Sequence, residues 1–333
     1  MQPQTSFTYK LTAPQQDALE RILRNGSFRL REVPYTRVAV EAADFNVSLY
    51  TSGSCVIQGK GARDWITFTL EPEVLLEARL GYEDVIDPTQ FTPHMGVDES
   101  GKGDFFGPLV IAAAYVDEQL AHQLRALRVR DSKRITSDRV AEQMAGDIAK
   151  ILGHRFAVVS VGPRAYNRLY AKMRNVNRML AWGHARAIED LLERVPDCPR
   201  ALSDQFGPTQ QIERALMAKG RNIKLEQRPK AESDVAVAAA SILARAGFIR
   251  ALRDLGTKLG TPAPKGASPQ VQEAARKAIQ QHGPGILLDT AKCHFKTADE
   301  VLAATGHHRS ELGPEGQAQS RTLPARKSET EET

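Results

Sequence analysis

Gly96-Val97-Asp98-Glu99-Ser100-Gly101-Lys102-Gly103-Asp104-Phe105-Phe106-Gly107-Pro108 places two adjacent carboxylates, a glycine–lysine–glycine turn and a third carboxylate between two strand-like runs. Apolar residues lead up to Val97, and Leu109-Val110-Ile111-Ala112-Ala113-Ala114-Tyr115-Val116 reads as a strand buried on both faces. Acids at the end of a buried strand are costly unless a positive charge offsets them, and a divalent cation does so well. The spacing also satisfies G-x-x-x-x-G-K. Against a phosphate loop, Gly103 stands where a Ser or Thr hydroxyl is needed, and Asp98 and Glu99 would line a cradle meant for negative phosphate. A plain hairpin turn decorated with acids is the bland alternative, and the flanking glycines and buried strands weigh against it.

Further carboxylates wait downstream. Arg200 to Ser203 reads as a short strand that ends on Asp204, and in α/β sheets ligands gather at the carboxyl ends of strands. Taken alone, Asp204 reads better as a helix N-cap before Thr209 to Lys219. Lys230-Ala231-Glu232-Ser233-Asp234 opens an alanine-rich helix, Val235 to Leu252, whose small residues let it lie close to a sheet. Glu232 shares a face with Ala236, Ala239 and Leu243, whereas Asp234 points elsewhere. For both acids, favourable pairing with the helix N-terminus is the structural alternative. Asn175 and Asn177 precede a long helix, Arg178 to Arg194, with His184 two turns beyond Asn177 on the same face. A lone histidine there is more often structural than catalytic. Lys133, after Ser132 in a basic loop, suits a phosphate oxygen as well as it suits a helix-entry turn.

Asp98 through Pro108 resembles the signature of the type 2 ribonucleases H, and its Gly-Lys-Gly form resembles that of ribonuclease HIII. The likeness extends through Asp131-Ser132-Lys133, Asn175-Val176-Asn177, Lys230-Ala231-Glu232-Ser233 and the closing Ala291 to Lys296. It implies a ribonuclease H-like mixed α/β sheet flanked by helices, preceded by a small α+β domain like that of the TATA-binding protein. It also implies an endoribonuclease that cuts the RNA strand of an RNA/DNA hybrid and leaves 5′-phosphate and 3′-hydroxyl ends. Asp98, Glu99, Asp204 and Glu232 take the catalytic and metal-binding places, with Glu232 preferred to Asp234. Ser100, Gly101, Lys102, Gly103, Lys133, Asn175 and Asn177 take the substrate-binding ones. Four hard oxygen ligands without a His/Cys cluster favour Mg2+ or Mn2+ over zinc, with two ions about 4 Å apart across the scissile phosphate. The substrate must present a ribose, since only the 2′-hydroxyl distinguishes RNA from DNA at a given site. The rivals are ribonuclease HII-like cleavage at single embedded ribonucleotides and a duplex-binding protein whose acids are only structural.

At 333 residues the chain holds two domains or more, and hydrophobic residues at 41% with charged residues at 26% describe an ordinary globular protein. The divisions expected are a duplex-binding domain over 1–85, a linker over 86–92, the catalytic domain over 93–306 and a disordered tail over 307–333. In the first domain a helix is expected over Gln15 to Leu23, with strands at Val38–Val40, Phe45–Tyr50, Cys55–Gln58 and Trp65–Leu70. Its basic residues (Lys10, Arg21, Arg24, Arg29, Arg31, Arg37, Lys60 and Arg63) suit a polyanion, as do the net charge of +5 and the pI near 9.1. Three scattered cysteines suit a reducing cytoplasm, no apolar run approaches the roughly 20 residues that span a bilayer, and a monomer is expected.

Overall fold

In the computed structural model the chain divides into two compact units, Met1–Pro88 and Thr89–Thr333. The structure describes residues 5–76, 91–127, 129, 135, 137–208, 210–216, 220, 223–228 and 231–319, except the side chain of Glu232. Lys133, most of the expected linker and residues 320–333 lie outside the described residues.

The first unit runs β1 (Ser6–Lys10), α1 (Ala13–Asn25), β2 (Arg29–Leu30), β3 (Thr36–Glu41), β4 (Phe45–Tyr50), β5 (Ser54–Gly59) and α2 (Ala62–Trp65). Its strands form one antiparallel sheet in the order β1-β5-β4-β3-β2. Alternation sends Phe7, Val40, Val47, Leu49, Cys55 and Ile57 into a core with Leu19 and Leu23 of α1. The register puts Thr8, Lys10, Asn46, Ser48, Ser54, Val56 and Gln58 on the opposite face. The expected strand at Trp65–Leu70 is instead helical: α2 continues into a wide-turned helix over Ile66–Leu75. A strand would give Ile66, Phe68 and Leu70 one face, yet Phe68 is 75% exposed while Ile66 and Leu70 are buried with Val74. That spacing of four is helical, and packing overrides the β-favouring side chains. Several of the basic residues are committed internally: Arg24 pairs with Glu20, Arg37 with Asp17 and Glu20, and Arg29 with Glu41 at 4.0 Å, while Lys10 donates to Ser52 O and Arg21 to Asp17 O.

The second unit carries β6 (His94–Ser100), β7 (Leu109–Val116), α3 (Glu118–Ala126), α4 (Asp138–Leu152), β8 (Phe156–Val161), α5 (Pro163–Met173), α6 (Val176–Leu192), β9 (Arg200–Asp204), α7 (Gln210–Ala215), β10 (Lys224–Arg228) and α8 (Val235–Leu259). Four shorter α-helices follow, α9 (Pro269–His282), α10 (Ile286–Thr290), α11 (Lys296–Ala304) and α12 (Gly313–Gly316), with a 3-10 turn, Arg309–Leu312, between the last two. Its sheet is mixed and ordered β10-β9-β6-β7-β8: β8, β7 and β6 form an antiparallel meander, and β9 and β10 run parallel to β6. As the apolar run predicts, β7 is buried on both faces. Val110, Ala112 and Ala114 pack with α8, while Leu109, Ile111 and Ala113 pack with α6.

Helix α8 is, by length and composition, apolar enough to cross a bilayer, which the sequence reading did not anticipate. Within this unit 78% of its most apolar stretch is buried, so the apolar character belongs to a core helix. Small residues let it sit on the sheet: a side chain at Gly96 would meet Val237 N at 2.1 Å. The expected disordered tail also begins in order. Arg309 donates to Asp299, to Cys293 O and to Gly316 O, and Leu312 and Ala318 are buried, so an arginine rather than apolar periodicity anchors this segment.

Candidate active site at the end of strand β6

Side chains of β6 alternate between two helices. Met95 and Val97 face α6, while His94 and Gly96 face α8. Asp98 follows the second set, where the Ser241 hydroxyl of α8 donates to it and Glu99 N–H donates to its Oδ1 at 2.8 Å. Glu99 follows the first set and meets His184 of α6, whose Nε2 lies 3.0 Å from Glu99 Oε2. Lys102 Nζ is 3.7 Å from Glu99 Oε1 and 5.9 Å from the Phe206 ring.

Strand β9 pairs with β6 through Met95↔Ala201, Gly96↔Leu202 and Val97↔Ser203. One further step in this parallel register sets Asp204 level with Asp98 on the same face. Asp204 Oδ1 accepts the Ala231 N–H at 3.2 Å, which ties the turn carrying Glu232 to the end of β9. The backbone of Glu232 lies in the single helical turn Ala231–Ser233; its side chain is outside the described residues. Asp98, Glu99 and Asp204 are thus brought to neighbouring strand ends, with the Glu232 backbone beside them.

Asp234 goes elsewhere. It caps α8 by accepting from Ala236 N–H and Val237 N–H, and both of its oxygens lie 3.1 Å from His94 Nε2 at the other end of β6. Burial pushes its carboxyl up, but His94 and the two backbone donors outweigh that and hold it below the ordinary aspartate value. For Asp98 the hydrogen bonds from Ser241 and Glu99 N–H do not offset the opposing effects. Burial, and then the charge of Glu99, push it up to about 6. Glu99 is also raised by burial, yet the His184 hydrogen bond and charge, followed by Lys102, bring it below its ordinary value.

The Gly101-Lys102-Gly103 turn is pinned from behind. Gly101 has φ 89°, and a side chain there would meet Pro108 O at 2.3 Å and the Phe248 ring. Gly103 instead faces open space and is exposed. Asp104 accepts Gly266 N–H at 2.6 Å, and its own carbonyl accepts from Lys292. Lys292, which the sequence places in a basic segment, is fully buried and donates to the carbonyls of Asp104, Phe106 and Gly107. Its three ammonium protons fasten the loop behind the acids. Asn175 Oδ1 caps α6 by accepting Arg178 N–H, and the Asn177 side chain lies against Gly207. Ser100 sits half-buried at the end of β6.

The sequence reading missed Ser241, Phe206 and Lys292 as members of this neighbourhood. Ser241 was legible as the one polar residue in an alanine-rich stripe; Phe206 and Lys292 carried no signal without the tertiary contacts.

No three His, Cys, Asp or Glu side chains form a ready-made ion cage among the described residues. The donor set is nonetheless all oxygen, and a carboxyl held up near 6 beside another acid is a group that a cation relieves. The residues present fit a hard divalent ion.

The profile of the family described as ribonuclease HII matches residues 95–298. The chain is 39% identical over 290 residues to ribonuclease HIII of Protochlamydia amoebophila, covering 87% of this chain and 94% of that protein. It is 38% identical to ribonuclease HIII of Chlamydia pneumoniae, covering 89% of this chain and 98% of the relative. Among solved structures, Bst ribonuclease HIII in complex with Mn2+ is similar at a TM-score of 0.62 and 29% identity, covering 90% of this chain and 99% of that one.

Proposed function

The chain belongs to the ribonuclease HII family, among its ribonuclease HIII members, and is an endoribonuclease that cuts the RNA strand of RNA/DNA hybrids; we propose that it does so with Asp98, Glu99, Asp204 and Glu232 holding two Mg2+ or Mn2+ ions. The observation that carries the proposal is the convergence at one end of the sheet: Asp98 and Asp204 sit level at adjacent strand ends, and Asp98 is pushed up to about 6. Divalent ions bound here would supply activation of water and stabilisation of the charge developing on the leaving 3′-oxygen. Asp98, Glu99, Asp204 and Glu232 would be the residues that hold them. The exposed, side-chain-free Gly103 lets the turn backbone approach consecutive 2′-hydroxyls, while Lys102, Lys133, Asn175 and Asn177 take phosphate and sugar oxygens. The open face of the first unit's sheet, with Lys10, Ser48 and Gln58, grips the duplex in the manner of the TATA-binding-protein fold. A monomer in the cytoplasm completes the reading.

The test is cleavage of an RNA/DNA hybrid with Mg2+ or Mn2+, comparing the parent with Asp98→Asn. The expected result is 5′-phosphate products from the parent, and retained hybrid binding without cleavage by the variant. A parent that binds hybrid but cuts under neither metal would reduce the chain to a duplex-binding protein. A duplex with one embedded ribonucleotide, cut more slowly than the hybrid, separates this reading from ribonuclease HII-like behaviour.

A further inference from the structure

Gly183 lets α6 approach β7 closely, since a side chain there would come within 2.7 Å of Ile111 Cδ1. The next residue, His184, is thereby carried to the end of β6, where it is 1% exposed. Its Nε2 lies 3.0 Å from Glu99 Oε2, and its ring packs 4.8 Å from that of Phe206. Because an ionised carboxylate only accepts, the proton of this contact sits on Nε2. The other nitrogen, Nδ1, is buried without a hydrogen-bond partner among the described residues. His94 engages both of its nitrogens, with Thr92 O and Asp234, whereas His294, packed among Tyr166, Tyr170 and Phe295, also leaves Nδ1 without a partner among the described residues, so what sets His184 apart is its bond to Glu99. The only bond His184 makes in the described structure is to a carboxylate that the proposed reaction requires.

We propose that His184 is a positioning residue: its Nε2–H holds one oxygen of Glu99 so that the other, which faces Lys102, is presented to a divalent ion. The inference rests on the nuclease reading above. A ligating carboxylate with a free rotamer must be ordered when the ion arrives, whereas one already hydrogen-bonded is presented in place. Phe206 fills the space beside the imidazole and keeps water from competing for the bond.

The experiment uses the full chain and Mn2+ as the probe. Calorimetric titration without substrate is compared for the parent, His184→Ala and His184→Gln, alongside thermal unfolding in chelator and hybrid cleavage as a function of Mn2+ concentration. The expected result is Mn2+ affinity lowered about tenfold or more in His184→Ala, and substantially restored in His184→Gln, whose amide N–H can replace the donor. Cleavage by His184→Ala should approach the parent rate at high Mn2+. Parent-like Mn2+ affinity in a folded His184→Ala would overturn the inference and leave the nuclease reading standing. Equal loss in Ala and Gln variants that tracks their unfolding temperatures would assign His184 to packing and also overturn it. A parent that binds no Mn2+ and does not cleave would overturn both. Nitrogen-15 NMR of the unmutated, metal-free chain reads the same point without a substitution: a proton on Nε2 is expected, and a proton on Nδ1 alone is incompatible with the proposed bond.

Discussion

Strand β6 holds a buried acid–histidine contact at each end, and the two ends are finished differently. At the His94 end every polar group has an answer. His94 bonds on both ring nitrogens, and Asp234 accepts two backbone N–H groups and lies 3.7 Å from Arg228. Its carboxyl is held below the ordinary value. At the Asp98 end two carboxyls sit side by side, one is pushed up to about 6, and His184 carries a nitrogen without a partner among the described residues. Both ends have the same strand and the same helix α8 against them. At the His94 end hydrogen bonds and charge more than offset burial, whereas at the Asp98 end they do not, and an acid left raised in that way is one that a cation would relieve.

The largest effect that tests this contrast is on cleavage. Asp98→Asn should slow single-turnover hybrid cleavage by about 10³-fold or more, equivalent to about 4 kcal/mol. Asp234→Asn should stay within about tenfold of the parent once folded. Equal losses from the two substitutions would erase the distinction between the ends.

Stability should show the reverse order. Asp234→Asn removes a buried charge from His94 and should cost about 3 kcal/mol in urea unfolding near neutral pH. Because the folded value of Asp234 is lowered, its contribution is present above the ordinary 3.8 and disappears as pH falls through the lowered value. An Asp234→Asn deficit that persists unchanged in strong acid would place its origin in the helix cap alone.

A smaller effect has the opposite sign. Asp98 has a folded value raised to about 6 from 3.8, so the folded state holds its proton more tightly than the unfolded one. Its ionisation therefore destabilises the metal-free fold increasingly as pH rises from 3.8 to 6, and fully above that. Asp98→Asn should accordingly stabilise the chelated protein by about 2 kcal/mol at pH 7.5, and the gain should vanish near pH 4. A loss of stability at pH 7.5 would show that Asp98 is already satisfied without an ion.

The smallest effect concerns the half-exposed Lys102. Lys102→Ala should weaken hybrid cleavage about tenfold at physiological salt, through substrate affinity rather than the rate at saturation. An unchanged apparent affinity would remove it from the substrate contacts.

Much of this arrangement was legible in the chain. The Asp98–Pro108 stretch with its buried follower β7 identified the organising strand, because an apolar run without alternation can only be covered on both sides. The strand end at Asp204 and the alanine stripe of α8 were legible for the same reason, since periodicity records burial directly. Illegible were the contacts that depend on a third dimension. Trp65–Leu70 has strand-like side chains yet winds as a helix because Ile66, Leu70 and Val74 face one core. The segment after His307 has no periodicity yet is fastened by Arg309. Lys292 looks like a surface charge in sequence and is fully buried, because three carbonyls of one loop take its protons.

By itself the sequence determined which residues could do chemistry: the paired acids, the glycine-flanked lysine, the acid closing a short strand and the small-residue helix. Those are matters of residue type and local spacing, which the chain carries at every point. The preference for Glu232 over Asp234 came from spacing and resemblance; only the tertiary structure showed Asp234 tied to His94, Asp98 left raised and His184 brought onto Glu99. Such choices turn on which groups become neighbours across 85 and 140 residues of chain, and a carboxylate's role is set by the partners that burial leaves it.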